Sequence, residues 1–176
     1  MSIRDVIATI NQMEKDGVIA RYAIGGAVGA TFYLEPVATL DVDVFVAFDV
    51  VPGQLIVTPK PIIDYLAARG WSMNGEYIVI AGWPVQFLPP VTPLVEEALE
   101  EATEVDVDGV PARVFSAEHL AAIALQTGRA KDKARLLQFI EEGAIDAARF
   151  QEIVKRQNLV DAWAKFERQF LRTDRP

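Results

Sequence analysis

The chain has 176 residues, with 17 Lys and Arg against 25 Asp and Glu, a formal net charge of -8 and 51% hydrophobic types. That apolar share supplies a buried core and excludes a disordered polyelectrolyte, and the length suits one domain with room for a helical appendage. With no cysteine and one histidine, disulfides, thiolate chemistry, cysteine-held zinc and any HExxH motif are excluded.

Ile3, Val6, Ile7, Ile10 and Met13 recur at helical spacing and predict an amphipathic helix over 3–16, stopped by Gly17. Charges at Arg4, Asp5, Glu14, Lys15 and Asp16, with no cleavage pattern, do not fit a signal peptide. No apolar run approaches the roughly 20 residues that a membrane helix needs, so a cytoplasmic protein without membrane contact is expected. Residues 18–24 read as a strand running into Gly25-Gly26, and 27–34 as a short helix. Residues 39–48 alternate and give the clearest strand signal in the chain.

Residues 50–58, with Pro52 and Gly53, read as loop or edge, and 60–70 as a helix with Pro61 in its first turn. Strands over 77–81 and 85–88 are joined through Gly82-Trp83-Pro84, and Pro89, Pro90 and Pro93 end the second. An acidic helix over 94–104 precedes a hairpin over 105–114 around Asp108-Gly109. Ser116 then caps a helix, and the remainder is helical with breaks at Gly128 and Gly143. The order predicts an α/β (α+β) core over 1–115 and a helical C-terminal part over 116–176, packed on it.

Charge is uneven along this order. Residues 129–176 hold 11 basic and 8 acidic side chains, whereas the first 128 residues hold 6 and 17. The acidic first part disfavours non-specific DNA binding, which depends on Lys and Arg to neutralise phosphates. A small phosphorylated ligand held through a metal is compatible with it.

The stretch that carries chemistry runs from the Gly25-Gly26 turn to Thr39-Leu40-Asp41-Val42-Asp43-Val44. Side chains alternate along a strand, so Asp41 and Asp43 share one face while Val42, Val44 and Val46 enter the core. Two carboxylates so placed repel unless a cation sits between them, and Mg²⁺ takes oxygen ligands from one or two carboxylates plus phosphates. The glycine turn permits close backbone approach, and the start of the following helix offers N–H groups to a phosphate. Each half is common alone, since tight turns need glycine with or without a ligand and acidic pairs are often only solvated. The tandem, with Gly26 15 residues before Asp41, is more specific.

The tandem resembles the nucleotidyltransferase superfamily related to DNA polymerase beta, most of all small bacterial members akin to abortive-infection nucleotidyltransferase toxins. Gly25, Gly26, Thr39, Asp41 and Asp43 match its front motif, and Gly128-Arg129-Ala130-Lys131-Asp132 matches a later Gly-Arg-x-Lys-Asp segment. The resemblance covers about residues 18–140. It implies a small mixed sheet flanked by helices and transfer of a nucleoside monophosphate from an NTP to an acceptor. It further implies Mg²⁺ or Mn²⁺ on Asp41 and Asp43, and phosphate contacts from Gly25, Gly26, Thr39, Arg129 and Lys131.

Three positions depart from the family. Gln86 stands where a third carboxylate completes the metal site, and a neutral amide cannot act as a base. Val37 replaces a frequent basic residue, and a helical lysine of relatives is matched by Ala124 or Gln126. These losses leave open a catalytically degenerate protein that binds a nucleotide or a protein partner, or a site completed by Glu35, Asp49 or Glu76. Arg129 and Lys131 also fit ordinary surface cations at a helix start. His119 reads as a surface or packing residue, Glu96, Glu97, Glu100, Glu101 and Glu104 as a solvent-facing run, and the tryptophans as packing residues. No GxxxxGK[ST] stretch is present, which argues against a P-loop enzyme. Adjacent acids on one strand do not resemble the facing pair of a glycosidase.

Overall fold

The computed structural model describes residues 2–35, 39, 41–48 and 58–171. Val42, Val44 and Val46 are almost wholly buried while the residues between them are half-buried, so strand β2 (Val42–Ala47) presents one apolar and one mixed face. The chain also forms β1 (Arg21–Ile24), β3 (Ser72–Asn74), β4 (Tyr77–Ile80), β5 (Trp83–Leu88), β6 (Thr103–Val107) and β7 (Val110–Val114). Among the described residues these seven make one mixed sheet, in the order β3-β4-β5-β2-β1-β7-β6, with β2 central. β2 runs antiparallel to β1 and parallel to β5, and β7 runs parallel to β1.

Helices cover both faces. On one, α1 (Ile3–Lys15) and α3 (Lys60–Ala67) pack against Tyr22, Ile24, Val44, Ile80, Val85 and Val114. In α1, Val6, Ile7, Ile10 and Met13 are fully buried, contributing about 2 kcal/mol each. Ser2 makes no side-chain cap bond, so packing rather than capping holds this helix. The other face, at Ala23, Phe45 and Phe115, takes α4 (Pro93–Glu100), α5 (Ala117–Thr127), α6 (Ala130–Glu141), α7 (Ala147–Arg156) and α8 (Val160–Phe166). Thr92, Ser116 and Asp146 accept the capping N–H bonds of α4, α5 and α7. A short five-residue helix, α2 (Gly26–Ala30), follows β1 directly. No helix among the described residues is long and apolar enough to cross a membrane.

Several expected boundaries move. β1 starts at Arg21 rather than residue 18, β2 at Val42 rather than 39, and α2 ends at Ala30. The acidic helix stops at Glu100, because Thr103 and Glu104 pair with Val114 and Arg113. Tertiary pairing overrides helix propensity there. β3, all three of whose residues are exposed, lacks the alternation that would announce it. Apart from Thr58, the loop expected over 50–58 lies outside the described residues, as do Val37 and Asp49.

The expected Gly82-Trp83-Pro84 connection is also revised: Trp83 pairs with Ile80 and Pro84 with Val79, leaving Ala81-Gly82 as the turn. Both turn residues have positive φ, 49° at Ala81 and 86° at Gly82, as a type I′ hairpin requires. Alanine in that region costs about 1–2 kcal/mol. Ala81→Gly is therefore expected to stabilise the protein by about 1 kcal/mol, raising the thermal midpoint by roughly 2–4 °C. A lower midpoint in a thermal melt would contradict this account of the turn.

Candidate functional site

Asp41 directly precedes the central strand and Asp43 is its second residue, with Val42 and Val44 between and beyond them fully buried. A one-residue slip in register would bury both carboxylates, so the valines fix which face they occupy. Asp43 is half-buried. Its carboxyl is pushed above the usual range, first by burial and then by Asp41, and is drawn back by Lys131, Arg135 and Arg129.

The glycine turn is fitted to this carboxylate. Gly26 has φ +58°, and a Cβ built there would overlap the Asp43 carboxylate. At Gly25 a Cβ would lie 2.6 Å from the Phe45 ring. The Gly25 N–H donates to the Asp43 carbonyl at 2.9 Å, so that group already has an acceptor and is not offered to a phosphate. α2 is also too short to build an anion site at its start. The Thr39 hydroxyl donates to the Asp41 carbonyl at 3.2 Å and lies 3.4 Å from its carboxylate. Gly25 and Thr39 thus act on the aspartates.

The later motif reaches the same place from α6. Arg129 stands at the position before that helix, without a side-chain cap bond, and donates to both oxygens of buried Asp132, at 2.6 and 3.3 Å. That bond fixes the guanidinium and supplies the buried acid with its partner. Lys131 and Arg135 make no ion pair within 4 Å among the described residues. Arg135 was not among the residues singled out as phosphate-binding from sequence. Its i, i+4 relation to Lys131 places both on one helix face.

Gln86 sits opposite Asp43 in the parallel β2–β5 pair, so its side chain shares the face of the carboxylates. Its amide donates to Glu76 Oε2 at 3.0 Å. Glu76 lies in the turn between β3 and β4, not on a strand. The neighbouring Tyr77 phenol is pushed up, chiefly by the charge of Asp41, with Glu76 and Asp43 adding to it. Glu35 is exposed. Among the described residues, no third acid or histidine lies with both aspartates in a cluster tight enough to share one ion.

No protein-family model matches the chain, and no curated protein matches it in sequence. Solved structures do match in fold. An antigenic nucleotidyltransferase-like protein from Paracoccidioides brasiliensis aligns with TM-score 0.61 at 15% identity, covering 92% of this chain and 91% of its own. The solution structure of the antibiotic-resistance factor ANT(2'')-Ia aligns with TM-score 0.54 at 15% identity, over 94% and 95% of the two chains. Its crystal structure with adenylyl-2''-tobramycin gives 0.53 at 14% identity, over 95% and 98%. This chain has the nucleotidyltransferase-like fold.

Within that fold the donor set suits a hard divalent cation. The two carboxylates offer only oxygen, they repel each other, and Asp43 keeps its place because Gly26 has no Cβ to occupy it. A second acidic cluster, Glu97, Glu101 and His119, has different chemistry. Arg156 donates to both Glu97 oxygens at 3.0 and 2.6 Å, and Gln157 donates at 2.6 Å. Those oxygens are taken, so the cluster is a clasp joining α4, α5 and α7. His119 is fully buried, its Nε2 3.1 Å from Glu97 and its Nδ1 2.8 Å from Ser116 Oγ. A carboxylate only accepts, so Nε2 carries the proton. His119 is therefore the packing residue and not the surface one, and Glu97 does not belong to a solvent-facing run.

Two predictions follow from these contacts. Gly26→Ala is expected to cost about 1–2 kcal/mol from its positive φ alone and to displace the Asp43 carboxylate; chemical denaturation measures the first and metal-dependent ligand binding the second. Arg156, His119 and Gln157 together hold Glu97 down at about 2, with Arg156 the largest contributor. A depressed acid stabilises the fold above its unfolded pKa and loses that contribution as pH falls through the folded value. Glu97→Gln is thus expected to lower stability by about 2 kcal/mol at neutral pH, with the gap from wild type closing between about pH 4 and pH 2. Urea midpoints measured across that range check it, and a pH-independent gap would refute it.

Proposed function

We propose that the protein transfers a nucleoside monophosphate from an NTP to an acceptor hydroxyl, in a reaction dependent on Mg²⁺ or Mn²⁺. The observation that carries this reading is the Asp41–Asp43 pair, seated against Gly26 and faced by the cations of α6. Asp41 and Asp43 would hold the metal. A bound divalent cation would offset charge on the triphosphate and on the departing pyrophosphate. Lys131 and Arg129 would meet phosphate oxygens, with Arg129 oriented by Asp132. Thr39 and Gly25 would hold the two aspartates, and Gly26 would leave space for the Asp43 carboxylate. In this reading residues 1–115 form the catalytic core, and 116–176 a helical part that closes over it. The cytoplasm, where nucleoside triphosphates are abundant, is its proposed place of action.

The acceptor is proposed to be a small hydroxylated molecule. The first 128 residues carry 17 acidic against 6 basic side chains, which makes a tRNA end the least favourable partner and leaves a protein acceptor second. The ANT(2'')-Ia complex contains adenylyl-2''-tobramycin, a modified small molecule. One observation favours a different reading: Gln86, not an acid, stands opposite Asp43. On that reading the fold binds a nucleotide or a protein partner without turnover, as one half of a toxin–antitoxin-like pair.

Titration calorimetry with each of the four NTPs, in Mg²⁺ and in Mn²⁺, tests the proposal against a protein carrying Asp41→Asn and Asp43→Asn. Metal-dependent binding by the wild type, lost or weakened at least tenfold in the variant, is the expected result. No binding of any NTP at millimolar ligand would overturn the nucleotide-binding reading altogether.

A further inference from the structure

Transfer to a hydroxyl needs a group that accepts its proton, and Asp41 and Asp43 are committed to the metal in the reading above. We propose that Glu76 is that base and that Gln86 is the positioning residue that aims it. The proposal rests on that reading and adds the identity of the proton acceptor.

The geometry runs in a line across the sheet. Asp43 on β2 faces Gln86 on β5, at the roughly 4.8 Å spacing of paired strands. Gln86 in turn donates from Nε2 to Glu76 Oε2 at 3.0 Å. The Gln86 backbone lies within a strand bonded to β2 on one side and β4 on the other, so its side chain is anchored on a rigid element. Glu76 sits in the tight turn closed by the Asn74–Tyr77 pair. An exposed glutamate ordinarily samples many rotamers; this one is tied to a side chain in register with the metal-binding strand.

The position suits a base better than a ligand. Glu76 does not join Asp41 and Asp43 in a cluster tight enough to share one ion among the described residues. It lies one side chain further out from Asp43, beyond Gln86, within reach of an acceptor held at the edge of the site. A carboxylate accepts only, so the amide of Gln86 must donate to it. That bond occupies one oxygen, Oε2, and leaves Oε1 for the acceptor. In the step, the acceptor oxygen forms a bond to the α-phosphorus and the α–β bridging P–O bond breaks. Pyrophosphate leaves with that electron pair. The hydroxyl proton passes to Glu76 Oε1 and from there to water, since Glu76 is exposed. Nothing is oxidised or reduced.

The experiment uses the full chain with Mg²⁺ and the NTP that binds best, with water and then glycerol as probe acceptors. Pyrophosphate release is followed against pH and nucleotide affinity by calorimetry, in wild type, Glu76→Gln, Gln86→Leu and Gln86→Glu. Glu76→Gln is expected to lower kcat about 100-fold or more, to leave nucleotide Kd within twofold, and to abolish the acidic limb of the pH profile. Gln86→Leu is expected to lower kcat about tenfold at unchanged nucleotide KM, as freeing a positioned base would. Gln86→Glu cannot donate to Glu76 and sets a charge beside both Glu76 and Asp43, so it is expected to lower kcat at least as far as Gln86→Leu. The proposal is overturned if Glu76→Gln keeps kcat within threefold, if it loses nucleotide binding instead, or if wild type binds the nucleotide and releases no pyrophosphate. The last result leaves the binding site standing, whereas failure of wild type to bind any NTP removes the site and the base together.

Discussion

The Asp43 carboxylate and a Cβ at Gly26 would occupy the same space, and the site is built around that exclusion. Only a residue without a Cβ, at positive φ, lets the chain turn out of β1 and pass beside the half-buried acid. The Gly25 N–H closes the arrangement by donating to the Asp43 carbonyl. Turn and strand therefore lock each other: the glycines are set by the strand they cross, and the strand by the valines beneath it. A half-buried carboxylate beside a second one is unfavourable on its own. The unfavourable charge is retained because hydrophobic burial on the opposite face of β2 is worth several times more.

The helical part completes what the sheet begins. Phe45 and Phe115 pack as a tilted pair with ring centres 4.8 Å apart and belong to the apolar cluster that includes α5 and α6. The buried Asp132 holds Arg129 at the start of α6. The Glu97 clasp ties α4 to α5 and α7 through His119, Arg156 and Gln157. These polar bonds lie within or between helices rather than in the sheet, and each has its partner in place, which a buried ion pair needs to avoid a net penalty. The cations of α6 are thus presented from a braced helix. Glu76, by contrast, is exposed in a two-strand turn and is steadied by Gln86. The α6 side of the aspartates is therefore rigid and the Glu76 side lightly held.

Much of this was legible in the sequence where one physical rule acted alone. Alternation placed β2 and its two acids; Gly128 and Gly143, both at positive φ, ended helices as expected; and Asp108-Gly109 made its hairpin turn. Legibility failed where tertiary pairing competed with local preference. Thr103 and Glu104 look helical in an acidic run but pair with β7. Trp83 and Pro84 look like a turn but pair with β4. At the site, the contacts differ from those the resemblance implied. Thr39 and Gly25 bind the aspartates' backbone, Arg129 binds Asp132, and Arg135 joins the group facing Asp43.

The amino-acid sequence by itself determined the local matters: which residues alternate, where glycine or proline breaks a helix, and which two acids share a strand face. Those follow from backbone sterics and side-chain period, which act over a few residues. Only the tertiary structure decided that Gln86 stands opposite Asp43, that it reaches Glu76, and that α6 returns its cations to the same acids from some 90 positions later. Register between distant strands and the docking of helices depend on how whole apolar faces fit together. No short window of sequence contains that information.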